Sequence, residues 1–248
     1  MKRKKLFFAK LIVFAFFIII LVSFINILIW YYDNRENDKI KEEIEKNIVH
    51  EVSSLDEKNK EKIYQIDFEN LKKMNSDTVA YFKLRGTNID FVVVKGNDNS
   101  YYLNHNFNKE YNRSGWIFMD YRNRLDGTDK NIIIYGHNTW DGSMFGSLKQ
   151  VVTEEWFQNK ENFLISLETE NKIFKYQVFS TYIINVEDYY ITTDFESDYE
   201  YRKFLTVLKN RSFFDYSIDI SHSDAILTLS TCTGNGKKRV VLHAVKIS

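Results

Sequence analysis

Cys232 is the one cysteine in 248 residues. It ends the apolar, β-prone run Ala225-Ile-Leu-Thr-Leu-Ser-Thr231 and is followed at once by Thr-Gly-Asn-Gly. A cysteine where a strand opens into a glycine-bearing turn is placed at a rim, whereas inert structural cysteines sit among apolar neighbours. On position alone Cys232 reads equally as a nucleophile or a core thiol. The residues that follow favour the nucleophile: Thr233 to Lys246 holds Lys237, Lys238, Arg239, His243 and Lys246 and no acid. A cationic setting favours thiolate over thiol. Arg239 begins the next strand, so the turn folds it back beside Cys232. A guanidinium there can donate to a carbonyl oxygen that becomes an oxyanion. Lys237 and Lys238 read as a solvated turn.

A thiol nucleophile needs an acid/base partner, most often histidine. His50 lies in a charged segment, and His105 and His222 lie in polar loops. His137 follows an apolar strand in Tyr135-Gly-His-Asn138, again where a strand opens into a turn. His243 shares strand parity with Arg239. His137 ranks first and His243 second, and the residues alone leave that choice open. Other chemistries find little support. The five histidines are scattered with no H-E-x-x-H spacing, so neither a metal nor a cofactor is expected. A lone cysteine has no resolving thiol for a redox switch and no partner for an intramolecular disulfide. A net charge of zero argues against a broadly nucleic-acid-binding protein.

The elements that must position these residues begin with an anchor. Residues 11–32 carry no charge and are dominated by Leu, Ile, Val and Phe, long enough for a ~30 Å bilayer core. Lys2, Arg3, Lys4, Lys5 and Lys10 precede the run, which keeps that end in the cytoplasm, and Trp30, Tyr31 and Tyr32 form an aromatic belt. The run lacks the small-residue ending of a cleaved signal peptide. Everything after Asp33 is therefore expected outside the cell. The first ten residues carry +5, so residues 33–248 carry −5.

Four units are expected: a tail at 1–10, the span at 11–32, a charged helical stalk at 33–66 and a catalytic domain at 67–248. In the stalk Ile40, Ile44, Ile48 and Val52 recur at helical spacing, which makes a stalk or a helix lying on the domain. Asp67 caps a short helix with Phe68, Leu71 and Met74 facing inward. Strand-like runs follow at 79–84, 89–94, 116–119, 131–135, 163–167, 173–186, 225–231 and 239–247. Eight strands with few helices predict a mainly β fold closed as a barrel. Ser197-x-x-Glu200 opens a helix with Tyr201, Phe204, Leu205 and Leu208 on one face. That helix makes the link between 186 and 225 either a cover or part of the site.

Several motifs resemble a known family. Thr228-Leu229-Ser230-Thr231-Cys232, followed by Arg239, looks like the TLxTC motif and arginine of sortases, and Tyr135-Gly136-His137-Asn138 resembles their histidine segment. Class B sortases in particular are matched by Gly86-Thr87-Asn88-Ile89-Asp90, Asn99-Ser-Tyr-Tyr102, Phe118-Met-Asp-Tyr-Arg-Asn123 and Asp141-Gly-Ser-Met-Phe-Gly146. The resemblance runs from about Phe68 to the carboxyl terminus. It implies an eight-stranded sortase barrel with amino-terminal helices and a helix inserted between strands six and seven, behind one transmembrane helix.

It further implies a cysteine transpeptidase of a Gram-positive cell surface. Such an enzyme cleaves secreted proteins after the Thr of a carboxyl-terminal sorting pentapeptide and joins them to a peptidoglycan amine. Cys232 would be the nucleophile, His137 the acid/base and Arg239 the oxyanion donor, which decides between His137 and His243. Ser230, Tyr190 and Ile191 are candidates for the peptide groove. The segment between Cys232 and Arg239 lacks the acidic residues often seen in class B, so no carboxylate there orients His137. The rival readings are a membrane-anchored cysteine hydrolase and a non-catalytic wall-binding barrel.

Overall fold

The computed structural model describes residues 2–52, 63–232 and 238–247. Helix α1 (Lys2–Ile48) is continuous through 47 residues. Its residues 11–32 carry no charge and are almost all exposed, and the helix is long and apolar enough to cross a membrane. No glycine or proline interrupts it. Beyond Tyr32 the same helix lies on the domain. Asn34, Asn37, Ile40 and Ile44, three or four residues apart, form its buried stripe. The stripe was expected to run on to Val52. Instead the helix stops at Ile48, and Val49–Val52 pairs antiparallel with Ile63–Ile66. Two β-branched valines in that four-residue stretch favour the extended chain. The rest of the expected charged stalk, 53–62, lies outside the described residues.

Helix α2 (Phe68–Met74) starts where Asp67 accepts from the Asn70 amide at 3.0 Å. Phe68 and Leu71 are buried, but Met74 is exposed, contrary to expectation. Asn75 takes the inward position at that end, donating to the Phe107 carbonyl at 2.7 Å and the Tyr102 hydroxyl at 3.0 Å.

Eight strands then close a barrel: β1 (Thr78–Leu84), β2 (Asp90–Val94), β3 (Phe118–Met119), β4 (Asn131–His137), β5 (Leu164–Glu168), β6 (Ile173–Asn185), β7 (Ile226–Cys232) and β8 (Lys238–Lys246). Around the wall the order is β8-β6-β5-β1-β2-β3-β4-β7, with β7 returning to β8. Two neighbouring pairs are parallel, β2 with β3 and β4 with β7. The β1–β2 turn places Gly86 at φ +70°, where a Cβ would also meet Trp156 and Asn162 at 2.8 Å. The main core fills the barrel and includes Ile40 and Ile44 of α1.

A five-residue helix, α3 (Glu154–Gln158), precedes β5. Between β6 and β7 the chain makes a short helical turn, Tyr189–Ile191, and then α4 (Asp198–Asn210). Ser197 accepts from the Glu200 amide at 3.3 Å, and the Glu200 carboxylate accepts from the Glu196 amide at 2.8 Å. Tyr201, Leu205 and Leu208 of α4 pack on Phe179, Tyr182 and Ile226 in a second core outside the barrel wall. The helix is thus a cover, and the turn before it is the part that reaches the site.

Candidate active site

Strands β4 and β7 run parallel in register from Asn131–Ile226 to His137–Cys232. Both therefore end together, His137 beside Cys232, on strands about 5 Å apart. Antiparallel β8 pairs Val241 with Ser230, and the Val240 amide donates to Thr231 Oγ1 at 3.0 Å. Carrying that register on by two residues sets Arg239 across from Cys232. Histidine, cysteine and arginine thus end up side by side on three adjacent strands at one rim. The segment between β7 and β8, with Lys237 and the Thr-Gly-Asn-Gly turn, lies outside the described residues.

His137 is half-buried, and its Nε2 lies 2.6 Å from the Leu103 carbonyl. A carbonyl only accepts, so Nε2 carries the hydrogen and Nδ1 is left as the exchangeable site. The group that orients the ring is a main-chain oxygen, which a side-chain reading had no means to find. Gly136 lets the strand pass this point: a Cβ there would sit 2.5 Å from Ile117 and 2.6 Å from Phe145. At Gly115, φ +57°, a Cβ would come 2.8 Å from the Leu103 oxygen that holds His137.

The Arg239 guanidinium is held from within. Its Nη1 donates to the Tyr190 hydroxyl at 3.2 Å, and that hydroxyl shares a hydrogen bond with Ser230 Oγ at 2.9 Å. Tyr190 and Ser230 are both fully buried. Neither is open to solvent: the Tyr190 hydroxyl meets the Arg239 guanidinium, and the Ser230 hydroxyl meets that of Tyr190. Ile191 is half-buried, and its carbonyl accepts from Arg122 at 2.9 Å. Arg122 in turn makes two side-chain hydrogen bonds to the buried carboxylate of Asp120, at 2.8 and 2.7 Å. Tyr135 and Asn99 also donate to Asp120, each at 2.9 Å. Burial alone would raise the Asp120 pKa, but the Arg122, backbone and Tyr135 hydrogen bonds together hold it below the usual carboxylate value. Asn131 adds bonds to the Tyr190 and Thr192 carbonyls at 3.2 and 2.9 Å. The 189–191 turn is therefore clamped to β4 and to the turn that follows β3, a role the sequence did not disclose for Asp120, Arg122 or Asn131.

His243 lies away from this rim. It is fully buried, with Nε2 2.9 Å from the Tyr182 hydroxyl and Nδ1 2.9 Å from Thr228 Oγ1. Thr228 gives its proton to Asn131 Oδ1, so Nδ1–H donates to Thr228 and Nε2 accepts from Tyr182. Burial drives its pKa down to about 3, so the ring is neutral. His105 stacks on Tyr101, and His222 lies 3.5 Å from Asp198.

A family model described as a sortase domain matches residues 82–247. Sortase B of Staphylococcus aureus is 39% identical over 188 residues, covering 73% of this chain and 75% of that protein. A crystal structure of Clostridium perfringens sortase B superposes with a TM-score of 0.68 at 40% identity, covering 73% of this chain and all of that one. A Staphylococcus aureus sortase B–substrate complex gives 0.69 at 37% identity, over 73% and 85%. On this family model and these relatives, the chain belongs to the sortases, as a class B cysteine transpeptidase of cell-wall anchoring.

Proposed function

We propose that this sortase is held in the membrane by α1, with its amino terminus cytoplasmic and its barrel outside. In this reading it cleaves a carboxyl-terminal sorting motif after Thr and transfers the protein to a peptidoglycan amine. The observation that carries the assignment of residues is the register that sets His137, Cys232 and Arg239 on three adjacent strands. A substrate-bound relative and a sortase B complexed with triglycine support a peptide donor and an amine acceptor.

The Cys232 thiolate attacks the threonyl carbonyl carbon, forming a C–S bond and an oxyanion. Arg239, steadied by Tyr190, donates to that oxygen. The C–N bond breaks as protonated His137 gives its proton from Nδ1 to the leaving amine, which leaves a thioester on Cys232. The acceptor amine then attacks the thioester carbonyl. His137 takes the amine proton, the C–S bond breaks and thiolate is regenerated. Throughout, Leu103 keeps Nε2–H occupied, so the same ring nitrogen gives and receives the proton.

Mass spectrometry of the protein incubated with a library of sorting pentapeptides tests this reading. An acyl adduct on Cys232, discharged faster by an added amine, is expected. An adduct whose product ignores the amine points to a hydrolase. No adduct with any peptide on a folded protein rules out the acyl-transfer reading.

A further inference from the structure

We propose that the edge of the domain formed by residues 111–114 and 138–143 rests in the headgroup layer of the bilayer that α1 crosses, with Trp140 inserted into it. This rests on the reading of α1 as a membrane span. The helix supplies the ruler. Asn34 lies two positions past Tyr32, a rise of about 3 Å. There its Nδ2 donates to Asp141 Oδ2 and its Oδ1 accepts from Ser114, both at 2.6 Å. One residue earlier, the Asp33 carboxylate accepts from the Arg113 amide at 3.2 Å. Arg113 also reaches back along the helix and donates to Asn26 Oδ1 at 3.0 Å, six residues before Tyr32 and about 9 Å lower. The rise from Asn26 to Asn34 is thus about 12 Å. A headgroup layer is roughly 5–8 Å deep on each side. Wherever the hydrocarbon ends within that stretch, these two segments of the domain meet the layer.

Trp140 is the residue that suits this place. It is 96% exposed, although its neighbour Asp141 is tied to the helix. An indole combines a large apolar face with one N–H donor, and tryptophan concentrates at membrane interfaces for that reason. The charges at this edge are mixed, Asp33 and Asp141 against Arg113, so the contact calls for no anionic lipid. The occupant is the interfacial zone itself, zwitterionic phospholipid included, and the contact is insensitive to salt. His137 lies three residues before Trp140, so the catalytic rim opens on the membrane-facing end of the barrel.

The test uses the full chain in phosphatidylcholine vesicles. Trp116 and Trp156 are buried, so in a W30F background Trp140 is the one exposed tryptophan, and W30F/W140F supplies the signal to subtract. The expected result is loss of most Trp140 fluorescence with lipids brominated near the headgroup, a smaller loss with deep bromines, and protection from aqueous acrylamide. Vesicle-bound protein whose Trp140 stays open to acrylamide and unaffected by bromine overturns the surface contact and leaves the anchor intact. Protection from acrylamide without bromine quenching also overturns it, in favour of a protein partner such as a second copy. Protein that an alkaline wash strips from the vesicles overturns the span reading and the proposal with it.

Discussion

At the scale of single residues, the site depends on how two side chains are held. Arg239 offers a planar fork, and one arm is fixed by the Tyr190 hydroxyl. Lysine keeps the charge but loses the fork. Arg239→Lys is expected to lower the acylation rate by on the order of 10²–10³, the usual loss for an oxyanion donor, in single-turnover assays. Retention of the wild-type rate would remove Arg239 from the oxyanion role. Tyr190→Phe keeps the ring and loses the hydroxyl's hydrogen bonds to Arg239 and Ser230; with the Arg239 bond worth about 1 kcal/mol, roughly a fivefold fall in kcat/KM is expected with the barrel still folded. The juxtaposition of Cys232, His137 and Arg239 was legible because all three residue types stand next to strand ends in the sequence. The Leu103 carbonyl was not, because every residue carries one. The buried placement of Tyr190 was also hidden, since a tyrosine in a linker looks alike whether it faces water or arginine.

At the scale of elements, β4 carries the precision. Its isoleucines are buried in the core, and it ends in a glycine with no room for a side chain before delivering His137 to the rim. Gly136→Ala would push against Ile117 and Phe145. A cost of about 1–3 kcal/mol and a further loss of activity from the displaced imidazole are expected, checked by denaturant unfolding alongside peptide turnover. All eight strands were legible from runs of β-branched and aromatic residues bounded by turns. What local pattern missed was decided by partners distant in sequence. Met74 gives way to Asn75 because Tyr102 and Phe107 offer it hydrogen bonds. The 189–191 turn takes its position from Asp120, Arg122 and Asn131, about 60 to 70 residues earlier in the chain.

At the scale of the whole molecule, acid and helix α1 set stability. The folded pKa of His243 is depressed to about 3, against 6.5 for an ordinary histidine. The unfolded chain therefore binds the extra proton first. Stability is full above about pH 6.5 and declines as pH falls toward 3, below which this residue contributes no further slope. Asp120 adds a loss at more acid pH, as the solution passes through its lowered pKa. Thermal unfolding against pH should show the first slope, and His243→Gln should flatten it.

The part of α1 that lies on the domain is a second support. A chain starting at residue 49 should be less stable than one starting at residue 33 by about 3 kcal/mol, from two buried isoleucines at about 1.5 each. Equal denaturation midpoints would show that Ile40 and Ile44 contribute nothing.

The uninterrupted course of α1 from Lys2 to Ile48 carries one more consequence. A tether with a flexible joint lets an enzyme tumble and sample many heights above its support. On the proposal that α1 spans the membrane, a shaft without glycine or proline, bolted to the barrel through Asn34 and Asn37, permits rotation about the membrane normal and lateral drift and little else. The reactive rim then sweeps a plane at constant altitude. Its search is two-dimensional, and selection among substrates falls partly to their own linkers: the scissile bond must be carried at the height at which the enzyme waits.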